Sequence, residues 1–144
     1  MTQAEMRILF RVAQWIGDGN RRIVEKIREL AETEENYMII MRELDRVTGQ
    51  IVQARKRQAP ATLTLTDWFV TLEDFHWKCA YCQAKPFQIM CHAFPLAEKG
   101  TTPENCVPAC YACCRYKKAG NMRVSAYLAA KAHKHAEKEP AASS

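Results

Sequence analysis

All seven cysteines of this 144-residue chain fall between Cys79 and Cys114. Four of them make two Cys-x-x-Cys units, Cys79-Ala80-Tyr81-Cys82 and Cys110-Tyr111-Ala112-Cys113, with 27 residues between them. One such unit alone suits dithiol redox chemistry. Two together supply four thiolates for a tetrahedral zinc ion, with Zn–S bonds of about 2.3 Å. A structural zinc held by Cys79, Cys82, Cys110 and Cys113 is therefore expected. It would close a loop too short and too polar to fold around a core of its own, so metal binding there is largely folding free energy.

The remaining residues with chemical potential lie between and just after these knuckles. Cys106 sits beside Val107 and reads as core. Cys114 follows the second knuckle directly and opens a basic run of Arg115, Lys117, Lys118 and, further on, Arg123. That run has two readings, a solvated helix face or a phosphate-contacting cluster. Tyr111 and Tyr116 read as packing residues rather than base stackers. His76, between Phe75 and Trp77, reads as a packing residue or one bonded to backbone. His133 and His135 are two apart on an expected helix, so they point away from each other and make no helical metal pair.

The elements that must position these groups fall into three sections, 1–61, 62–123 and 124–144. The first is helical in pattern: Ile8, Leu9, Val12, Trp15 and Ile16 recur at helical spacing. Gly17-Asp18-Gly19 breaks it, and Asn20 is placed to cap a second helix. Ile23, Ile27, Leu30, Glu34, Tyr37, Met41, Leu44, Thr48 and Ile51 then alternate by four and three like a coiled-coil seam. Glu34 and Thr48 weaken the seam, and Thr33 is placed to start a separate helix. This section reads either as a helical hairpin packed on the chain itself or as a dimerising coiled coil. Arg55-Lys56-Arg57 before Gln58-Ala59-Pro60 reads as a basic helix end and a linker. In the second section Thr64 and Asp67 have capping-box spacing, and Trp68, Leu72 and Phe75 give a short helix one apolar face. A strand-like stretch follows around Phe87 to Phe94. The third section is a polar helix ending near Pro140 in a short tail.

Set in order, the second section resembles the HNH endonuclease family in its zinc-knuckle form, over about Thr62 to Asn121. Trp68, Leu72, Glu73 and Phe75 lead into the first knuckle as in the family. His92, Pro95, Gly100, Asn105, Pro108, the second knuckle and Lys117 follow in the family's order. The resemblance implies a ββα-metal hairpin-and-helix site. His92 would be the general base that deprotonates a water, a role suited to a neutral imidazole near pH 7. Asn105 would hold the hairpin turn or orient His92. The basic residues after the second knuckle would lie near the DNA backbone. In the family an Asp before the His, and an Asn or His after the last knuckle cysteine, bind a divalent ion that polarises the scissile phosphate. Here those positions are Cys91 and Cys114, soft thiols that suit zinc and not magnesium.

Three expectations follow from that double departure. Cys91 and Cys114 hold a second divalent metal ion beside His92 and cleavage persists; or the site is dead and the fold survives as a zinc module; or both are small buried residues without a ligand role. A thiolate pair would also repel a phosphate unless a cation lay between them. The expected fold class is α+β: a helical N-terminal region, a small zinc-stabilised ββα-metal (HNH, treble-clef-like) domain and a C-terminal helix. The expected function is metal-dependent endonucleolytic cleavage of DNA with His92 as base. The alternative is a catalytically inactive HNH-like zinc module that binds nucleic acid or a protein partner, or a scaffold whose N-terminal helices form a homodimer. The net charge of +5 is spread over all three sections, so nucleic-acid binding would rest on local clusters. No apolar run approaches the roughly 20 residues of a membrane span. Glu5, Arg7 and Arg11 interrupt any secretory signal, so the chain reads as intracellular and cytoplasmic. In that reducing setting the cysteines are not expected to form a disulfide framework.

Overall fold

Helix boundaries follow the side chains that satisfy the first free backbone N–H groups. In this computed structural model, which describes residues 1–20, 24–116 and 118–138, α1 (Gln3–Gly17) starts at a capping box between Thr2 and Glu5. Its inward face is Met6, Leu9, Val12 and Ala13. The Asn20 amide donates to the Trp15 carbonyl at 2.7 Å, and the N–H groups that Asn20 would cap, in residues 21–23, lie outside the described residues. Ile23 lies outside the described residues. α2 (Val24–Ala31) is followed by Glu32 in the left-handed region, with φ of 69°. Thr33 then caps α3 (Glu34–Lys56) by accepting from the Asn36 N–H at 3.1 Å. The seam is therefore broken in two, as the Thr33 signal implies. Its buried members Ile27, Tyr37 and Leu44 join the chain's own core, in place of an open seam.

Thr64 and Asp67 form the expected capping box of α4 (Leu65–Asp74). Trp68, Phe69 and Leu72 on its inner face are fully buried against α1 and α3. Each such side chain contributes about 2–3 kcal/mol by leaving water. β1 (Ile89–His92) and β2 (Cys106–Ala109) pair antiparallel, with Cys91 opposite Val107 and His92 opposite Cys106. The strand-like stretch is thus shorter than 87–94. The short α5 (Leu96–Lys99) lies in the loop joining the strands, and α6 (Tyr111–Tyr116) and α7 (Met122–Lys138) follow β2. The fold is helix-rich and mixed, with one small two-stranded sheet among the described residues. No helix among them is long and apolar enough to cross a membrane.

Two cores result. The first joins α1–α4 and takes in Met90 and Cys106 from the two strands. The second holds both knuckles, Cys91, Val107, and Val124 and Leu128 of α7. They are joined by a charged pin. Glu43 on α3 is 0% exposed, and its carboxylate accepts from Arg46 Nε at 2.8 Å, Arg42 Nε at 3.0 Å and Trp68 Nε1 at 3.0 Å. Arg46 reaches on to donate to the Gln88 carbonyl at 3.0 Å, and the Gln88 side chain accepts from the Tyr111 N–H at the start of α6.

Gly100 sets the second contact. Its φ is 71°, and a Cβ there would overlap the Pro60 carbonyl oxygen. Only glycine allows the linker to lie this close. Thr101 N–H then bonds Pro60 O at 2.9 Å, while Thr62 and Leu63 N–H both bond Thr101 O.

Candidate metal centre

The first knuckle is shaped by the chain that brackets it. Cys79 N–H donates to Lys85 O, and Ala80 N–H donates to Pro108 O on β2, at 2.9 and 2.8 Å. Pro108 has no N–H of its own to give the ladder, yet its carbonyl fixes the knuckle to the strand. The second knuckle runs from the end of β2 into the first turn of α6, and Cys114 N–H bonds Cys110 O at 3.1 Å. The Sγ atoms of Cys79, Cys82, Cys110 and Cys113 lie within 4.8 Å of one another. Tetrahedral zinc with bonds of about 2.3 Å places its sulfurs about 3.8 Å apart, so these four fit such an ion. Three of the four are buried.

Local electrostatics favour the thiolate form at two of them. The backbone N–H groups of Lys85 and Ala84 lower the Cys82 thiol to about 6. The N–H of Cys113 likewise lowers Cys110. Burial pushes Cys113 up to about 12, with neighbouring sulfurs adding to the effect. A cation at the centre of the cluster relieves that cost, which is how thiolate sites couple to metal.

Cys91 and Cys114 are joined by a disulfide, with Cα atoms 5.9 Å apart. This corrects two expectations: that the cysteines form no disulfide, and that these two stand ready as thiolate ligands for a second ion. In the bonded form neither sulfur is a thiolate. Cys91 is 1% exposed, and the Tyr81 hydroxyl lies 4.0 Å from its sulfur. Burial raises that Tyr81 hydroxyl to about 12. Cys106 is a buried core residue, as expected, and burial raises its thiol to about 12.

His92 is half-buried at the end of β1. Its Nε2 lies 3.0 Å from Thr101 Oγ1, and that hydroxyl donates its one proton to the Gln50 carbonyl of α3 at 2.9 Å. The hydroxyl must therefore accept from the imidazole, which fixes the Nε2–H tautomer and leaves Nδ1 as the acceptor. Burial, then the Lys118 ammonium, lowers the imidazole to about 4. Lys118 Nζ itself donates to the His92 carbonyl at 3.2 Å. Asn105 makes no hydrogen bond to the imidazole. Its side chain accepts from the Phe94 N–H and donates to the carbonyls of Phe94 and Gly100, holding the loop between the strands.

The depressed value has a pH consequence. The unfolded chain takes up its proton near the ordinary imidazole value of 6.5 and the folded chain near 4. The unfolded state thus binds more protons in between, and stability falls as pH drops from 6.5 to 4. His92→Gln, which keeps a donor for Thr101 and does not titrate, is expected to flatten that part of the profile. Thermal melts of both proteins across this range check it; equal slopes would refute it.

The basic run divides. Arg115 is exposed and stands over the Tyr116 ring at 5.5 Å. Tyr111 and Tyr116 are 62% and 75% exposed, so the expectation that they pack is wrong. Arg123 is not free to meet phosphate, because its guanidinium donates to the Ala80 and Tyr81 carbonyls at 2.9 and 2.8 Å. It braces the first knuckle from α7. Lys117 lies outside the described residues, as does Pro140 with the tail. His135 pairs with Glu104, and His76 is exposed with φ of 55°.

Glu43 and Thr101 escaped sequence reading. For Glu43 a signal exists: it lies at helical spacing with Ile40, Leu44 and Val47, a charge on the buried stripe of α3. Nothing local marks Thr101, whose partners are 9 and 51 residues away. Comparisons with protein families, curated proteins and solved structures gave no match.

Proposed function

We propose that this chain is an HNH-like zinc module whose nuclease centre is closed, and that it acts by binding nucleic acid. One observation carries the reading. The Cys91–Cys114 disulfide ties up the two positions where the resembled family places its catalytic-metal ligands. The neighbouring imidazole is already committed through Nε2 to Thr101. Without an ion to polarise the phosphate, a base with a pKa of about 4 draws little proton from water near pH 7. The exposed α6 surface of Tyr111, Arg115 and Tyr116, with Lys118 just beyond it, offers rings and charge of the kind that hold a nucleic-acid strand by stacking and phosphate contact. The zinc supplies folding free energy at the four-cysteine cluster, and Arg123 and Pro108 keep the knuckles in register with α7 and β2.

The second reading, a metal-dependent DNA endonuclease with His92 as base and a second divalent ion at Cys91 and Cys114 once their disulfide is reduced, is favoured by the imidazole itself. It is neutral at pH 7, its tautomer leaves Nδ1 to accept a proton, and Lys118 adds positive charge beside it. Plasmid nicking separates the two. The native protein is expected to leave supercoiled DNA intact in magnesium, manganese or zinc. The double change Cys91→Asp, Cys114→Asn is expected to create magnesium-dependent nicking that His92→Ala removes. Nicking by the native protein that His92→Ala removes would overturn the closed-centre reading in favour of the endonuclease. The binding arm is checked by fluorescence anisotropy on oligonucleotides, where Arg115→Ala should weaken affinity several-fold.

A further inference from the structure

We propose that Cys91 and Cys114 form a redox-gated soft-ion site: a disulfide in the oxidised chain, and in the reduced chain a pair of thiolates that takes one ion of the zinc or cadmium class. The inference rests on reading the four-cysteine cluster as the zinc site, because that cluster must be filled separately; it does not rest on nuclease activity or nucleic-acid binding.

The geometry separates this pair from the zinc cluster. Cys91 belongs to β1 and Cys114 to α6, and the four-cysteine set is complete without either. Their Cα atoms are 5.9 Å apart, a spacing from which side-chain rotation reaches either a shared bond or a shared ion. Access is one-sided. Cys91 is 1% exposed, whereas Cys114 is partly open to solvent. A dithiol reductant therefore attacks Cys114. Its first thiolate bonds to Cys114 Sγ, the Cys91–Cys114 bond breaks, and Cys91 leaves as a thiolate. Its second thiolate then attacks the mixed disulfide, releasing Cys114 as a thiolate and carrying the reductant away as its own disulfide. Two electrons have entered the protein.

Two thiolates at this distance in a half-buried site repel each other, so they take up protons or one cation. Soft ligands select a soft ion. Tyr81, whose hydroxyl lies 4.0 Å from Cys91 Sγ, is placed to donate a hydrogen bond to the more buried sulfur. The ion and the disulfide are mutually exclusive, so each state protects against the other. A bound ion holds the pair reduced by mass action, and the bond keeps the ion out.

Thiol counting and cadmium titration of the zinc-loaded full-length protein test this. After mild oxidation, denaturation and chelation, five thiols should react with a chromogenic disulfide, matching the five free cysteines. After treatment with a dithiol all seven cysteines should react. Cadmium should displace the zinc and saturate at one equivalent in the oxidised chain. In the reduced chain it should saturate at two, by its thiolate absorbance, and Cys114→Ser should return that to one. Pre-bound cadmium should slow reoxidation at least tenfold. Seven reactive thiols after oxidation would overturn the gate. A reduced chain that stops at one equivalent would overturn the ion site. Both readings come from the native chain, so neither depends on a variant folding. Failure of cadmium to displace zinc at the four cysteines would point instead at the zinc reading.

Discussion

Glu43→Ala is expected to destabilise the protein by about 3–5 kcal/mol, the cost of breaking a buried ion pair from one side. The carboxylate is fully buried and receives three N–H donors, two of them charged. Truncation leaves Trp68 Nε1 without an acceptor inside the core. It also leaves Arg46, whose side chain is 22% exposed, with a charge that solvent reaches poorly. Glu43→Gln separates shape from charge. Oε1 serves both Trp68 and Arg46, whereas Oε2 serves only Arg42, whose side chain is 57% exposed. A glutamine oxygen placed at the Oε1 position keeps two of the three bonds, and its amide repels only a residue free to swing into water. The loss should then be about 1 kcal/mol, that of one hydrogen bond. Urea denaturation of the three proteins measures both. A loss below about 1 kcal/mol for the alanine variant would show that the pin carries little of the fold.

Removing zinc should have the other large effect, and its size should depend on the oxidation state of the chain. Structural zinc contributes about 10–16 kcal/mol in small thiolate sites. The knuckles here have little apolar surface of their own to replace it. The disulfide closes a loop across a sequence separation of 23 residues, which is worth about 3 kcal/mol of chain entropy. A chelator alone is therefore expected to loosen the second core while residues 91–114 remain tethered. Chelator with a dithiol should unfold it. Near-ultraviolet circular dichroism, followed through Tyr81 and Tyr127 of that region, reports the difference. An unchanged spectrum after both treatments would mean that neither staple holds the fold.

The parts of this arrangement that short-range chemistry determines were readable in advance. Thr33 and Thr64 cap where their side chains can reach an N–H three residues on. The two Cys-x-x-Cys units converge because each supplies a knuckle with a fixed local shape. The buried face of α4 follows from Trp68 and Leu72 at helical spacing. What was not readable depends on distance in space. Arg123 sits in a basic run, and only the fold reveals that Ala80 and Tyr81 carbonyls lie within its reach. Cys91 and Cys114 were identified as a pair through resemblance, yet whether two nearby thiols bond or bind depends on electrons, which sequence does not carry.

Thr101 gives the N-terminal helices a meaning beyond packing. One hydroxyl touches the backbone of α3 on one side and the His92 imidazole on the other. The first sixty residues are thus not a handle that can be exchanged for another protein's helices at will. The Gln50 carbonyl of α3 holds the hydroxyl that in turn holds the imidazole. A slip of α3 along its axis would reach His92 as a change in which ring nitrogen holds the proton.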